Sequence, residues 1–258
     1  MSAYIRGRNV NLTFRPPNRA PVRALQDFDI EVREGEFLSI VGPSGCGKST
    51  FLSILLGLIK PDSGELDLHG QPIAGPGTDR AMVFQEFGLL PWRTVQSNVE
   101  LGLQLKGMAA AARREIAMHF IRMVGLLGFE NHYPHELSGG MKQRVGLARA
   151  LATDPDVLLM DEPFAALDAQ TRDLMQVELL RIWHDTRKTV LFVTHQIDEA
   201  VYLSDRVLVM TKRPGHAKRS FAIDLPRPRD YEMRMTPAFN DLKLEIWRAL
   251  ENEISVQP

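Results

Sequence analysis

A glycine-rich segment sets the architecture of this chain, and it reads Gly42-Pro43-Ser44-Gly45-Cys46-Gly47-Lys48-Ser49-Thr50. An apolar run typical of a buried strand, Phe37-Leu38-Ser39-Ile40-Val41, comes directly before it. An apolar helical stretch, Phe51 to Leu58, follows it. A strand, a glycine-rich turn and a helix in this order satisfy the P-loop pattern, so the sequence predicts an α/β fold built around a phosphate-binding loop.

The residue types in this loop match the demands of phosphate capture. Glycines let the backbone curl so that successive N–H groups, and the N-terminus of the following helix, point at phosphate oxygens. We expect the Lys48 ammonium to reach the β- and γ-phosphates of ATP and the Ser49 hydroxyl to ligate Mg²⁺. Cys46, the single cysteine of the chain, is expected to fill space in the loop, and its alkylation is expected to block ATP binding.

Apolar runs suited to buried strands recur farther along the chain, at Ala81 to Phe84, Val157 to Met160 and Thr189 to Val193. Helical patterns lie between these runs. Strands that alternate with helices predict a parallel sheet with helices on both faces.

A middle segment, residues 95–137, contains no strand-like run and is predicted to form a helical insertion. Four apolar residues in it recur at helical spacing and predict one buried helix face: Ile116, Phe120, Met123 and Leu127. Residues 214–258 are predicted to form a C-terminal extension, with a Pro-broken strand segment and then an amphipathic helix that packs back on the sheet. The apolar positions of that helix are Phe239, Leu242, Ile246 and Leu250.

Two acidic residues, Asp161 and Glu162, end the apolar run that begins at Val157. A strand that ends in Asp delivers that carboxylate to the carboxyl edge of the sheet, where it can hold Mg²⁺ through water. Glu162, one residue on, is a candidate general base for an attacking water. Acids at strand ends are often only solvated groups, but together with a P-loop they indicate nucleotide hydrolysis.

A third motif reads Leu137-Ser138-Gly139-Gly140-Met141-Lys142-Gln143-Arg144. Its serine, Ser138, lies 23 residues before Asp161. With the two preceding motifs, this motif makes the sequence resemble the ABC-type ATPases over nearly the whole chain. The resemblance implies a single domain, residues 1–258, with a P-loop NTPase core and parallel sheet. It also implies an antiparallel N-terminal strand layer and an α-helical subdomain that extends to this signature loop.

The resemblance also assigns roles at single positions. In the family, the signature loop closes on ATP held by a second subunit, which implies a head-to-tail dimer. The matching residues here are Ser138, Gly139 and Gly140. The remaining assignments are Gln85 as the Q-loop residue that senses Mg²⁺, Asp168 in the D-loop, His195 as the switch histidine at the γ-phosphate, and Phe14 as the aromatic that stacks on adenine. Ala165 stands where many members have a serine at the start of the D-loop.

Composition limits the partners. Charge is balanced, with 31 basic and 32 acidic residues and a net charge of -1, so the sequence predicts no nucleic-acid partner. No stretch without a charged residue exceeds 11 residues, whereas a spanning helix needs about 20 apolar residues. If the protein works at a membrane, a partner must supply the membrane part. One cysteine favours a reducing, cytoplasmic compartment. The resemblance to ABC importers further implies a peripheral position on the cytoplasmic face of the inner membrane.

The apolar stretch from Gln85 to Val95 is a candidate docking surface, because exposed clusters of this kind mark interfaces. In the family this region receives a cytoplasmic helix of the membrane permease, which in importers works with a solute-binding protein. Leu89-Leu90-Pro91-Trp92 and Arg213-Pro214-Gly215 resemble the ATPase subunits of nitrate, sulfonate and taurine importers. The alternative is a soluble ABC ATPase of DNA repair or translation, although this chain lacks the heptad repeats of such proteins.

Overall fold

The computed structural model describes residues 3–254, so the two ends of the predicted domain, residues 1–2 and 255–258, lie outside the described residues. The chain divides into two compact units. The first unit combines residues 1–77 with residues 189–258, and the second unit is the intervening segment, residues 78–188.

The elements alternate along the chain after an all-β start. The strands are β1 (Ile5–Phe14), β2 (Val22–Val32), β3 (Phe37–Val41), β4 (Ser63–Leu68), β5 (Gln71–Pro72), β6 (Arg80–Val83), β7 (Val157–Asp161), β8 (Thr189–Thr194), β9 (Arg206–Met210) and β10 (Ala217–Ala222). The helices are α1 (Lys48–Leu55), α2 (Val95–Val99), α3 (Leu101–Leu105), α4 (Ala110–Met123), α5 (Gly139–Ala152), α6 (Ala169–Thr186), α7 (Ile197–Leu203) and α8 (Pro237–Ile254), with short 3-10 turns at Pro134–Glu136 and Tyr231–Met235.

An antiparallel sheet in the order β2-β1-β4-β5 opens the first unit. Ile5 of β1 lies opposite Val32 on one side and opposite Leu68 on the other. Buried and exposed residues alternate along β2, which is the pattern of a sheet with one face on a core. The predicted antiparallel N-terminal layer is thereby confirmed.

A second group of strands in this unit carries the P-loop. β3 lies between β8 and β9 and is parallel to both, and β10 pairs antiparallel with β9. Every residue of β3 and β8 is buried, which explains why both read as continuous apolar runs rather than alternating ones. Val41 lies opposite Thr194, so β3 and β8 end at the same edge of the sheet.

The C-terminal extension packs on the first unit through helix α8, which contacts α7 and β9. Phe239, Ile246 and Leu250 are buried, as the sequence periodicity predicts. Arg229, which is also buried, donates hydrogen bonds from Nη1 to the carbonyls of Val201, Tyr202 and Ser204 at the end of α7. Its burial lowers the pKa of the guanidinium to about 10.

The second unit joins a parallel pair of strands, β6 and β7, to a group of helices. Residues 95–137 contain α2, α3 and α4, and α4 packs against α5. The predicted buried face of α4 is wrong: its buried residues are Ala117 and Ile121, followed by Val124 at the C-cap. Leu127 lies beyond the helix and is 50% exposed. Small Ala117 contributes little to an apolar pattern, so the pattern pointed to the neighbouring positions.

Among residues 3–254, no helix combines the length and the apolar character that a membrane span requires.

Candidate functional site

The P-loop runs from the end of buried β3 into helix α1. The N-cap residue of α1 is Gly47, which has no side chain to cap the helix and adopts left-handed geometry with φ 114°. Backbone N–H groups at the start of a helix lack intrahelical partners and carry a partial positive charge. The start of α1 is therefore built to bind an anion.

Two glycines in the loop are required by its shape. Gly45 and Gly47 have φ values of 72° and 114°, which residues with a Cβ rarely adopt. A Cβ on Gly47 would lie 2.9 Å from the carbonyl oxygen of Ala24 and 2.9 Å from Leu25 Cδ2. The strand β2 thus packs so closely on the loop that only glycine fits at position 47.

Lys48 lies folded back over the loop. Its Nζ donates hydrogen bonds to the carbonyl oxygens of Gly42 at 2.8 Å and Pro43 at 3.0 Å, and the residue is only 5% exposed. The loop thereby keeps an ammonium group at its concave side, where the sequence places the phosphates. Phosphate oxygens are stronger acceptors than neutral carbonyls, because hydrogen bonds between charged groups are stronger.

Cys46 lies within the loop and is buried, at 1% exposure. Burial raises the pKa of its thiol, and the nearby Lys48 ammonium only partly offsets this effect. The thiol is therefore protonated at neutral pH and is a poor nucleophile. This environment agrees with the space-filling role expected from the sequence.

His195 follows the last residue of β8 and is exposed. The preceding Thr194 hydroxyl donates to Glu199 Oε2 at 2.6 Å and accepts the backbone N–H of Gln196 at 3.0 Å. These bonds fix the turn between β8 and α7. Because Val41 and Thr194 are register partners, Gly42 and His195 leave the sheet at the same edge, so the structure brings the P-loop and His195 to one edge of the sheet.

Phe14 ends β1 opposite Val22 and is 42% exposed. An exposed ring is available for stacking on a base, as the sequence resemblance implies.

In the second unit, Asp161 is the last residue of β7, and Gln85 lies two positions after the end of the neighbouring parallel strand β6. Val83 of β6 lies opposite Met160 of β7, so Gln85 and Asp161 emerge at the same edge of this strand pair. Glu162 has φ 44°, a left-handed geometry that side chains other than Asn and Asp seldom adopt. Backbone strain of this kind concentrates at functional sites.

The signature loop begins helix α5. Ser138 is its N-cap, and the Ser138 hydroxyl accepts the backbone N–H of Met141 at 3.3 Å. A Cβ on Gly140 would lie 2.7 Å from Thr171 Cγ2, so this glycine lets α5 approach α6 closely. Ser138 itself is exposed.

Asp168 has a structural role at the start of α6. Its Oδ1 accepts the backbone N–H of Thr171 at 3.0 Å, which makes it the N-cap of that helix. This backbone hydrogen bond, followed by one from the Thr171 hydroxyl, lowers the pKa of the Asp168 carboxyl.

Two arginines that the sequence motifs do not include contact the predicted loops. Arg213 donates from its guanidinium to the Gly45 carbonyl in the P-loop. Arg149 donates to the carbonyls of Gly88 at 2.6 Å and Phe87 at 3.1 Å, and burial lowers its pKa. No local pattern predicts either contact, since each arginine lies more than 60 positions from the backbone that it binds.

A sequence model described as ABC transporter matches residues 25–165, which is more than half of the chain. The chain belongs to the ABC transporter family. The predicted fold class and the predicted enzyme class, an ABC ATPase, are thus confirmed.

Curated relatives of this ABC ATPase include import proteins. An uncharacterised ABC transporter ATP-binding protein of Methanocaldococcus jannaschii is 56% identical over 90% of this chain and 86% of its own length. A taurine import ATP-binding protein of Yersinia pestis is 50% identical over 78% of this chain and 79% of its own. A nitrate import ATP-binding protein of Synechocystis is 46% identical over 86% and 85%.

Among solved structures, a dimeric bacterial ABC transporter cassette matches with a TM-score of 0.75 and 35% identity. It covers 86% of this ABC chain, and all of that cassette is covered. The same cassette in a post-hydrolysis state, bound to ADP and Pi, matches equally well.

Proposed function

We propose that this ABC ATPase is the ATP-hydrolysing subunit of an importer that drives a separate membrane permease for a small solute such as nitrate, sulfonate or taurine. One observation carries the proposal. A P-loop shaped by Gly45 and Gly47, with Lys48 held inside it, occurs in a chain that is 50% identical to a taurine import protein and 46% identical to a nitrate import protein.

The P-loop residues 42–50 are assigned to the phosphates of ATP. The geometry supports this assignment, because a Cβ at Gly47 would collide with strand β2 and the loop could not keep the curled backbone that binds phosphate. Lys48 exchanges its two carbonyl acceptors for phosphate oxygens. Phe14 is assigned to the adenine, which its exposed ring can stack on.

Ser49, Gln85 and Asp161 are assigned to Mg²⁺. Their hydroxyl, amide and carboxylate oxygens are the hard donors that this ion prefers, so the residue types fit the ion. Bound Mg²⁺ would neutralise charge on the phosphate oxygens during hydrolysis.

Glu162 is assigned as the general base. Its carboxylate takes a proton from the attacking water, which adds to the γ-phosphorus as the bond to the bridging oxygen breaks and ADP leaves. His195 donates to the γ-phosphate from the turn that Thr194 and Glu199 fix. The left-handed backbone of Glu162 supports its role, since strain is retained where function requires it.

Ser138, Gly139 and Gly140 are assigned to the ATP of a second copy, with Asp168 in the neighbouring D-loop. The exposed position of Ser138 at the start of α5 supports this assignment. The dimeric state of the similar cassette supports it further. Two chains would thus bind two ATP molecules between them.

The permease is proposed to dock on residues 85–95. Trp92 is 71% exposed at the tip of this segment. The backbone beneath it is fixed, because Arg149 binds the Phe87 and Gly88 carbonyls and the buried Asn98 amide binds the carbonyls of Leu90, Arg93 and Thr94 at 3.0 to 3.2 Å. A rigid loop that presents an exposed aromatic is typical of an interface anchor. Docking there would place the chain on the cytoplasmic face of the membrane.

The experiment is affinity purification of the tagged protein from detergent-solubilised native membranes, with mass spectrometry of its partners. We expect a polytopic permease together with a solute-binding protein. The matched control is Trp92→Ala, which should lose the permease while it keeps ATP binding. Recovery of soluble partners alone, such as ribosomes or DNA-repair factors, would contradict the importer function and leave the ATPase intact.

A further inference from the structure

The Arg213 guanidinium binds the P-loop as a fork, with two N–H donors on one carbonyl oxygen. Its Nε and Nη2 donate to the Gly45 carbonyl oxygen at 3.0 and 2.8 Å. The two residues are 168 positions apart in the chain, and the guanidinium approaches the loop from the connection between β9 and β10. Two donors from one rigid group to one oxygen define the direction of that carbonyl.

The connection that carries Arg213 is itself fixed against the P-loop. The Thr211 hydroxyl donates to the Pro214 carbonyl at 3.2 Å and accepts the His216 N–H at 3.0 Å. Gly215 exchanges backbone hydrogen bonds with β2, donating to Ala24 at 2.9 Å and accepting from Gln26 at 3.1 Å. A Cβ on Gly215 would lie 2.2 Å from the Cys46 carbonyl oxygen. Arg213 is therefore presented to the loop by a backbone in direct contact with it.

The peptide between Gly45 and Cys46 links this fork to the phosphate side of the loop. A trans peptide is planar, so its carbonyl and its N–H point in opposite directions. While the Gly45 carbonyl faces Arg213, the Cys46 N–H donates to the Pro43 carbonyl at 3.3 Å. The same Pro43 oxygen accepts Lys48 Nζ at 3.0 Å. The Cys46 N–H thus points to the side where Lys48 lies.

We propose that Arg213 is a positioning residue for the nucleotide phosphates. By holding the Gly45 carbonyl outward, it keeps the Cys46 N–H directed into the loop, where a phosphate oxygen takes the place of the Pro43 carbonyl as acceptor. A cationic donor on the carbonyl also polarises the peptide and strengthens its N–H as a donor. The inference rests on the proposed nucleotide site and adds a residue outside the motifs to it.

The test compares Arg213→Met, Arg213→Lys and the control Arg219→Met in the full chain. Arg219 is on β10 of the same extension, and its guanidinium lies over the Phe221 ring at 4.5 Å, so the control removes an equal charge from a neighbouring position. Calorimetric titration gives Kd for ATP and for ADP. Arg213→Met should raise both by about tenfold, the loss expected for one charge-assisted hydrogen-bond pair. Arg213→Lys should recover part of the affinity, and Arg219→Met should match the wild type.

A second measurement separates positioning from support of the fold. The thermal midpoint without nucleotide should be the same for Arg213→Met and Arg219→Met, and hydrogen exchange of the ATP-bound protein should be faster at residues 43–47 only in Arg213→Met. Wild-type ATP affinity in Arg213→Met, or an equal loss in Arg219→Met, would overturn this inference alone. Absence of ATP binding by the wild type would overturn the nucleotide site and the inference with it.

Discussion

The P-loop and the signature loop both place glycines at the start of a helix, but the backbone geometry and the capping of that helix start differ between them. At the P-loop the N-cap is Gly47, in left-handed geometry, with Lys48 almost fully buried behind it. At the signature loop the N-cap is Ser138, in ordinary extended geometry, and its own hydroxyl already accepts the Met141 N–H. The backbone of the first loop has the curled shape that binds phosphate. In the second loop the capping hydrogen bond is made by Ser138 itself and this serine is exposed, which agrees with the proposed contact to the nucleotide of another subunit.

The largest effect is expected from Glu162→Gln, because it removes the proton acceptor and keeps the shape. Hydrolysis should slow by about two to four orders of magnitude, whereas ATP affinity at the P-loop should be retained. Steady-state release of phosphate and calorimetric ATP binding measure the two quantities. Wild-type turnover by this variant would remove Glu162 from the general-base role.

The next effect distinguishes the glycines of the two loops. Gly47→Ala forces a Cβ to within 2.9 Å of the Ala24 carbonyl oxygen at φ 114°. We expect the free energy of unfolding to fall by about 1–3 kcal/mol, with loss of ATP binding, since strain of this kind must distort the loop. Gly139→Ala is the matched control.

In that control the new Cβ lies 3.3 Å from Leu167 Cδ2, at the end of a flexible side chain. Denaturant unfolding should therefore show little change for Gly139→Ala, and ATP affinity should be kept. Equal destabilisation by both substitutions would contradict the difference between the loops.

A smaller effect is expected at Ser138. Ser138→Ala removes the cap of α5 and should cost about 1 kcal/mol, whereas Ser138→Asp keeps a capping oxygen and should preserve stability. The added carboxylate repels phosphate, so Ser138→Asp should abolish cooperative hydrolysis and leave ATP binding to the single chain unchanged. Retained hydrolysis in this stable variant would show that the signature loop does not approach a phosphate.

The smallest effect is expected for Asp168 and concerns the stability of the fold at acid pH. The hydrogen bond from Thr171 lowers the pKa of this carboxyl in the folded protein, so its contribution to stability is present above the unfolded pKa, about 4. That contribution is lost as the pH falls through the folded pKa. The thermal midpoint of Asp168→Asn should lie slightly below that of the wild type at pH 7. The difference should shrink as the pH falls below about 4, and a difference that stays constant from pH 7 downwards would contradict this role of Asp168.

Sequence patterns predicted the elements that depend on the order of apolar residues and glycines along a short segment. Continuous apolar runs marked β3, β7 and β8 because both faces of these strands are covered. The run from Ala81 to Phe84 marked β6, whose central residues are half-buried. The P-loop could be predicted because its glycines, lysine and serine lie within one short segment, residues 42–50. The buried face of α8 followed from Phe239, Ile246 and Leu250 at helical spacing.

Other features depend on packing between distant segments and were not predicted from the sequence. The face of α4 was wrong by one position because Ala117, which is fully buried, carries little apolar signal. Arg213 reaches Gly45 only because β9 lies beside β3, a strand order that no local motif encodes. Arg149 and Asn98 fix the loop at residues 85–95 through backbone carbonyls, which any sequence offers equally.

Sedimentation of Glu162→Gln with and without ATP tests the central claim most directly, since it asks whether two chains close on two nucleotides. The account predicts a monomer without ATP and a dimer with one ATP per chain in its presence. It also predicts that adding Ser138→Asp keeps the bound ATP and abolishes the dimer. A chain that stays monomeric with ATP bound, or a dimer that forms regardless of ATP and of Ser138, would contradict it.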